Sequence, residues 1–383
     1  MGTSPACAPP DALRAGTELP GLYVHVPFCR SKCSYCDFYS TRDVHRVDAW
    51  LLALEQEMKQ YADRFPEVDT VYLGGGTPSM LQAVHLERLF SMVRRFFHVA
   101  AESEITIEAN PNDLSADLVV RLTDMGVTRI SLGVQSFDDG ILGWLGRRHS
   151  GREARDAACL IRGFSGLHMS IDLMYAVPGV SQTLWEDTIC QAAGYRPEHI
   201  SCYQLTVKEH TALWDRRHTA SFADEEEQEA QFHFTDRLLA SLEYRHYEVS
   251  NYALTAACCA RHNSKYWRRV AYLGLGPSAH SFDGTVRWWN GDSLDEYIQV
   301  WGSGVGSPAG SERLSAEQCL MEQLLLGFRT STGVDIDVCR RLPNWAAAVE
   351  GLQGQGLVKL IGDRVVPTVR GMLFADSLPL SFV

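Results

Sequence analysis

The sequence predicts an α/β fold in which a partial (β/α)6 barrel is followed by an aromatic-rich segment and a small C-terminal winged-helix-like α+β domain. Strand-like runs alternate with amphipathic helical stretches over residues 21–250, and such alternation indicates a parallel sheet with right-handed crossovers. The six units cover roughly 220 residues, fewer than the eight units that close a full barrel of about 250 residues. An open doubly wound sheet stays an alternative, because alternation alone does not separate the two folds.

Each unit is predicted from a short apolar run followed by a helical pattern. The six strands are predicted at residues 22–26, 70–73, 104–108, 129–133, 168–173 and 199–205. The helices are predicted at residues 47–64, 81–97, 115–125, 151–163, 182–193 and 224–242. Residues 1–20 are rich in alanine, proline and glycine and are predicted to form a disordered lead.

The pattern changes after residue 250. Residues 251–301 are rich in aromatic side chains and show no regular period, so we expect an irregular segment. Residues 302–312 have the glycine and serine content of a linker. Two helical patterns and a hairpin with Gly362-Asp363 at its turn then predict the winged-helix-like domain over residues 313–383.

Composition excludes several classes of function. The net charge of −12 argues against a broad nucleic-acid surface, which requires clustered basic residues. The sequence contains no run of 18 or more apolar residues that could span a membrane, and its N-terminus lacks the apolar core of a signal peptide. We therefore expect a cytoplasmic protein.

Three of the eleven cysteines are clustered, and the rest are scattered as small buried residues often are. Cys29, Cys33 and Cys36 form a CxxxCxxC run directly after the first strand. Thiolates are the preferred ligands of iron–sulfur clusters, and three of them leave one iron of a 4Fe–4S cluster open for the amino and carboxylate groups of S-adenosylmethionine (SAM). A structural zinc site is the alternative, although such sites usually have four protein ligands, for which His25 or Asp37 would be needed.

The cysteine run and its flanks carry a family resemblance. CxxxCxxC with Tyr35 before the last cysteine resembles the radical SAM superfamily, so the barrel is expected to be a radical SAM barrel. Residues 22–29, LYVHVPFC, resemble the oxygen-independent coproporphyrinogen III oxidase family. Within that family the chain resembles the heme chaperone branch, because Phe38 stands where the oxidase has a further cysteine.

The resemblance implies the residues that contact SAM. The GGGTP segment after the second strand corresponds to a SAM-binding segment of the family, and further residues match at later strands. The implied SAM residues are Tyr23, Tyr35, Gly75, Gly76, Thr77, Glu108, Gln135, Arg147 and Asp172. Most of them fall at or just beyond the C-terminal ends of successive strands, which form the active face of a β/α barrel.

A second motif points to heme. His262 begins an HNxxYW sequence that the heme chaperone branch also carries, where this histidine is implicated in heme binding. Neutral imidazole is a common axial ligand of heme iron, so His262 is the predicted heme ligand. A thiolate from Cys258 or Cys259 is an alternative, and His280 is a weaker candidate.

We therefore expect a heme chaperone that binds a 4Fe–4S cluster, SAM and heme and delivers heme to acceptor hemoproteins. The resemblance implies respiratory hemoproteins and heme-storing ferritins as acceptors, and it allows peripheral membrane association through them. The alternative is the oxidase of porphyrin biosynthesis, which converts two propionates of coproporphyrinogen III to vinyls by radical oxidative decarboxylation. A heme-degrading radical SAM methyltransferase is a third hypothesis. No catalytic residue is predicted, and whether the chain is an enzyme stays open.

Overall fold

A computed structural model describes residues 18–383 of the protein. Residues 1–17 of the predicted disordered lead therefore lie outside the described residues. Residues 18–20 contact the rest of the chain, since the Leu19 carbonyl accepts a hydrogen bond of 2.7 Å from Lys265 Nζ. The last residues of the predicted lead are therefore attached to the rest of the chain.

All six predicted β/α units form. The strands are β1 (Gly21–Val26), β2 (Glu67–Gly75), β3 (His98–Ala109), β4 (Arg129–Gln135), β5 (His168–Tyr175) and β6 (His199–Gln204). The helices between and after them are α1 (Val47–Tyr61), α2 (Ala83–Phe96), α3 (Ala116–Asp124), α4 (Asp139–Leu145), α5 (Gly151–Arg162), α6 (Gln182–Gly194) and α7 (Glu225–Ser241). Only the short α4 was not predicted.

Strand order separates the two candidate folds. Strands β1 to β6 lie side by side in sequence order and every neighbouring pair is parallel. A doubly wound sheet reverses its strand order at a switch point, and no such reversal occurs among these six strands. The prediction of a partial barrel is confirmed.

Successive side chains of β1 point alternately to the apolar core and to the barrel interior. Leu22, Val24 and Val26 are fully buried in the main apolar core, whereas Tyr23 and His25 project from the opposite face of the strand. On that face Tyr23 lies opposite Tyr72 of β2. The barrel interior is therefore lined by polar and aromatic groups.

The expectation of an irregular segment over residues 251–301 is wrong. The segment forms strands and helices, and its strands extend the sheet at both edges. It contains β8 (Asn251–Ala253), α8 (Arg261–Trp267), β9 (Tyr272–Leu275), β10 (His280–Phe282), β11 (Val286–Trp289) and α9 (Leu294–Gly302). Strand β8, preceded by β7 (Arg245–Glu248), pairs with β6, while β9 pairs in parallel with β1 at the other edge. The chain between β8 and β9 must therefore cross the barrel, and α8 lies on this crossing.

The predicted linker over residues 302–312 ends in a strand, β12 (Gly310–Arg313), which pairs with β11. The C-terminal unit then contains α10 (Ala316–Gly327), β13 (Val334–Asp335), α11 (Ile336–Cys339), α12 (Trp345–Gly354), β14 (Val358–Ile361), β15 (Arg364–Pro367) and α13 (Val369–Leu373). Its three strands form a separate antiparallel sheet over a core of its own. In residues 18–383 no helix is both long and apolar enough to cross a bilayer.

One buried carboxylate joins the first helix to the sheet extension. Glu57 on α1 accepts hydrogen bonds from Asn290 Nδ2 at 2.7 Å, from the Tyr297 hydroxyl at 2.6 Å and from the Gly276 N–H at 2.9 Å. Burial raises the pKa of Glu57 from its ordinary value of 4.5 to about 7. The Glu57 carboxyl group is therefore harder to ionise in the folded protein than in the unfolded chain.

We expect the contribution of Glu57 to the free energy of unfolding to fall as the pH rises from about 5 to about 8. The folded state holds this proton to a higher pH than the unfolded state does. The resulting stabilisation is full below the unfolded pKa and is lost as the pH rises through about 7. One such group changes stability by at most about 1.4 kcal/mol per pH unit.

Denaturant unfolding at several pH values measures the effect. Glu57→Gln should show a flatter stability profile than the wild type, whereas Glu350→Gln, at an exposed position of α12, should leave the slope unchanged. Equal slopes for the wild type and Glu57→Gln would contradict the prediction.

Candidate functional site

The cysteine loop leaves the C-terminal end of β1 and is held by backbone hydrogen bonds. The Cys29 N–H donates to the Thr41 carbonyl at 2.9 Å, and the Cys36 N–H donates to the Cys33 carbonyl at 3.3 Å. Ser34 is fixed from two sides, by the Leu145 carbonyl at 3.3 Å and by the Leu213 N–H at 2.7 Å. The loop is therefore shaped by the chain around it.

The three thiols point to different neighbours. Cys29 is buried, with its Sγ 3.2 Å from Thr77 Oγ1, and Cys33 Sγ accepts a hydrogen bond from Arg147 Nη1 at 3.5 Å. Burial raises the pKa of Cys36 to about 11. Within residues 18–383 no three His, Cys, Asp or Glu side chains are gathered as the ligands of one ion. In a 4Fe–4S cluster each thiolate binds a different iron, whereas a structural zinc site gathers four ligands on one ion.

The GGGTP loop is tied directly to the start of the cysteine loop. The Gly76 N–H donates to the Val26 carbonyl and the Thr77 N–H donates to the Phe28 carbonyl, both at 2.8 Å. A Cβ on Gly76 would lie 2.6 Å from the Phe28 carbonyl oxygen. Gly75 has φ of +101°, a conformation that glycine adopts without strain. These glycines are required for the two loops to approach each other.

Glu108 and Asp172 face the barrel interior below these loops and are only partly covered. Glu108 accepts hydrogen bonds from the Tyr72 hydroxyl at 2.8 Å and from the Gly75 N–H at 3.1 Å. The Asp172 carboxylate accepts one from Ser131 Oγ at 3.1 Å. Removal from water raises the pKa of Glu108 to about 7 and that of Asp172 to about 6. Burial therefore favours the protonated form of both carboxyl groups.

Arg147 connects three parts of the site. Its guanidinium donates to the Gly133 carbonyl at 2.7 Å, to Asn110 Oδ1 and to Cys33 Sγ, and it also hydrogen-bonds Tyr35. Its Nε has no partner among the described residues. Gln135, at φ of +65°, likewise buries an Oε1 without a partner in this part of the chain. Buried polar atoms are costly unless they are paired, so both atoms suit a polar ligand.

The structure brings the predicted SAM residues and the three cysteines to one end of the barrel, except Tyr23. Tyr23 lies deeper, where its hydroxyl donates to His25 Nδ1 at 3.0 Å. Tyr72, Asn110 and Ser131 were not predicted as site residues, and His25 was predicted only as a possible ligand of the alternative zinc site. The period-two spacing of residues 21, 23 and 25 could have indicated His25, since it places that side chain on the interior face with Tyr23.

His262 lies at the opposite end of the barrel from the cysteine loop and is buried. Its Nδ1 is 2.8 Å from Thr70 Oγ1, and its Nε2 is 2.8 Å from the Tyr266 hydroxyl. Burial, together with the positive charge of Lys265, lowers the pKa of His262 to about 3, so the ring is neutral. Both ring nitrogens are engaged, and in this conformation neither is offered to a heme iron.

The other heme candidates are more accessible. Cys258 and Cys259 are partly exposed free thiols. His280 is exposed on β10, and its ring stacks on Trp289 with a centroid distance of 5.8 Å. Unlike His262, these side chains are at least partly open to solvent.

The sequence of this chain is similar to the radical SAM superfamily and to heme chaperones within it. Residues 23–189 match the model of the radical SAM superfamily. The chain is 35% identical to the heme chaperone HemW of Mycobacterium tuberculosis over 95% of its own length and 97% of that protein. It is 38% identical to HemW of Escherichia coli over 68% of its own length and 69% of that chain.

The fold is also similar to a solved structure. Coproporphyrinogen III oxidase (HemN) from Escherichia coli, a radical SAM enzyme, superposes with a TM-score of 0.81 at 22% identity, covering 95% of this chain and 90% of that one. At this identity the similarity establishes the fold alone.

We expect Cys33→Ser to abolish the brown iron–sulfur spectrum of anaerobically reconstituted protein, because a hydroxyl is a poor substitute for a thiolate toward iron. Iron and sulfide content and the absorption spectrum measure the loss. Cys190→Ser is the matched control, since Cys190 is exposed on α6, and it should retain full iron. Full iron and sulfide in Cys33→Ser would contradict the assignment of the ligands.

Proposed function

The chain belongs to the HemW family of the radical SAM superfamily, and from this we propose that it is a heme chaperone that binds heme and delivers it to acceptor hemoproteins. Membership in the superfamily implies a 4Fe–4S cluster and SAM. The observation that carries the proposal is the match to HemW along nearly the full length of both chains. The match includes the segment with HNxxYW and the C-terminal unit.

The residues of the site fit the two implied cofactors. Cys29, Cys33 and Cys36 would hold the cluster, which when bound offers one iron without a protein thiolate to the amino and carboxylate groups of SAM. Around this position lie glycine backbone groups that need no side-chain space, the partly covered carboxylate of Glu108 and the unpaired Nε of Arg147. These groups can bind the polar parts of SAM by hydrogen bonds and charge.

Phe38 distinguishes the chaperone from the oxidase. Its side chain is 61% exposed two residues after the last cysteine, where the oxidase resemblance calls for a further cysteine. An exposed phenylalanine offers no ligand to iron and adds apolar surface beside the cysteine loop. Phenylalanine rather than cysteine at position 38 therefore supports the chaperone function over the oxidase function.

The heme ligand stays a prediction. Ligation by His262 requires that its hydrogen bond to Thr70 or to Tyr266 opens, because neutral imidazole binds iron through an unprotonated nitrogen. His280 needs no such opening. By resemblance we propose respiratory hemoproteins and heme-storing ferritins as acceptors. The cytoplasm stays the expected location.

We expect protein with a reconstituted cluster to take up heme, with a shift of the Soret band, and to form no protoporphyrinogen IX from coproporphyrinogen III with SAM and reductant. Heme titration and product chromatography measure the two activities. His262→Ala should lose the ligated heme spectrum if His262 is the axial ligand, whereas His280→Ala serves as the control at the weaker candidate.

Turnover to protoporphyrinogen IX would eliminate the chaperone in favour of the oxidase. Failure of the loaded wild type to retain heme through gel filtration would also overturn the proposal. Loss of the heme spectrum in His280→Ala alone would leave the proposed chaperone function standing and would assign the axial ligand to His280.

A further inference from the structure

Helix α8, which contains the HNxxYW motif, closes the N-terminal mouth of the barrel. The Glu104 carboxylate of β3 accepts hydrogen bonds from the Arg261 N–H at 3.1 Å and from the His262 N–H at 3.0 Å. Arg129 of β4 pairs with Glu104 at 3.1 Å and donates to the Cys258 carbonyl at 3.0 Å. The start of the helix is therefore fixed to two barrel strands.

The imidazole of His262 reaches into the barrel from this helix. Its two nitrogens are held by Thr70 and Tyr266, so the ring has a fixed orientation. One aromatic neighbour is Tyr72, with a centroid distance of 5.2 Å and an interplanar angle of 26°. A second is Tyr23, at 6.4 Å and 30°, and the Tyr266 ring stands edge-on at 5.2 Å. The ring thus contacts two tyrosines that stand on neighbouring strands of the barrel.

A first chain of contacts leads from Tyr72 to the GGGTP loop. The Tyr72 hydroxyl donates to Glu108 Oε1 at 2.8 Å, and Glu108 Oε2 accepts from the Gly75 N–H at 3.1 Å. Gly74 lies against both partners, because a Cβ there would be 2.7 Å from the Tyr72 ring and 2.8 Å from Glu108 Oε1. The position of Tyr72 therefore sets the position of the Glu108 carboxylate and of the backbone it holds.

A second chain leads from Tyr23 to the same glycine. His25 Nε2 donates to the Tyr39 carbonyl at 2.9 Å, which leaves Nδ1 to accept from the Tyr23 hydroxyl at 3.0 Å. The His25 ring lies directly against Gly75, where a Cβ would be 2.4 Å from its Cε1. Both chains start at His262 and converge on Gly75.

From this convergence we infer that His262 is a positioning residue for the SAM-binding loop, acting through Tyr72 and Tyr23 on Gly75. The inference rests on the proposed function, because SAM is the ligand of that loop. A close-packed interior transmits displacements between neighbours, and a hydrogen-bonded network fixes each member more firmly than isolated bonds do. The motif at one end of the barrel then controls the geometry of the ligand loop at the other.

The test uses His262→Ala in the full chain without heme. We expect cluster-loaded protein to bind SAM roughly tenfold more weakly, as is typical when a residue that orients the ligand-binding groups is removed, with unchanged iron content. In protein without cofactors, the peptide over residues 71–79 should exchange its amide hydrogens faster, because Gly75 loses its support. Equilibrium SAM binding and hydrogen exchange with mass spectrometry measure the two effects.

Lys265→Met is the matched control on the same helix. Lys265 is buried, and its ammonium pairs with Asp69 at 2.7 Å and donates to the Leu19 carbonyl, so the variant weakens α8 without removing the ring that contacts the tyrosines. We expect it to lower stability while SAM affinity and exchange over residues 71–79 stay close to the wild type.

Tyr72→Phe provides a second route if His262→Ala does not fold. It removes only the hydroxyl that holds Glu108 and should weaken SAM binding in the same direction. Where both single variants fold, the protein that carries both His262→Ala and Tyr72→Phe should lose less SAM-binding free energy than the two single losses added together.

Unchanged SAM affinity in His262→Ala, or equal weakening in Lys265→Met, would overturn the inference. Loss of heme uptake in His262→Ala with SAM affinity intact would assign the residue to heme ligation alone and also overturn it. If the loaded wild type binds no SAM, the proposed function fails, whereas the exchange measurement on cofactor-free protein still decides whether His262 supports Gly75.

Discussion

The parallel pairing of β1 with β2 is the constraint on which the site depends. Val26 lies opposite Gly75, so the cysteine loop and the GGGTP loop leave the sheet as neighbours and are joined by two backbone hydrogen bonds. A shift of one residue in this register would turn Leu22 and Val24 into the barrel and expel Tyr23. Burial of the apolar face of β1 therefore specifies the ligand-binding geometry as well as the core.

The barrel interior has the opposite chemistry to its outer core. Closed β/α barrels are usually filled by layers of branched apolar side chains, whereas here carboxylates, tyrosines and serines line the interior. Glu108 and Asp172 keep raised pKa values because they are partly removed from water and have few cationic neighbours. Burying such polar groups costs free energy unless they are paired. A polar ligand that forms hydrogen bonds with them would therefore stabilise this interior.

The position of His262 changes how the HNxxYW motif is understood. A histidine that is buried, neutral and bonded at both nitrogens is typical of a structural residue, yet its ring contacts the two tyrosines that lead to the ligand loop. His262 itself lies on the far side of Tyr72 and Glu108 from the cysteine loop.

The sequence by itself determined the six β/α units, the cysteine loop and the family, because periodicity and the spacing of Cys29, Cys33 and Cys36 are local properties of the chain. Residues at strand ends, such as Glu108 and Gln135, could also be predicted, since parallel strands bring those ends together. The strands of residues 251–301 were missed because their pairing partners, β1 and β6, are distant in sequence. Only the tertiary structure decided that α8 crosses the barrel mouth and that both nitrogens of His262 are engaged, because hydrogen bonds to Thr70 and between β3 and α8 depend on long-range packing that leaves no local pattern.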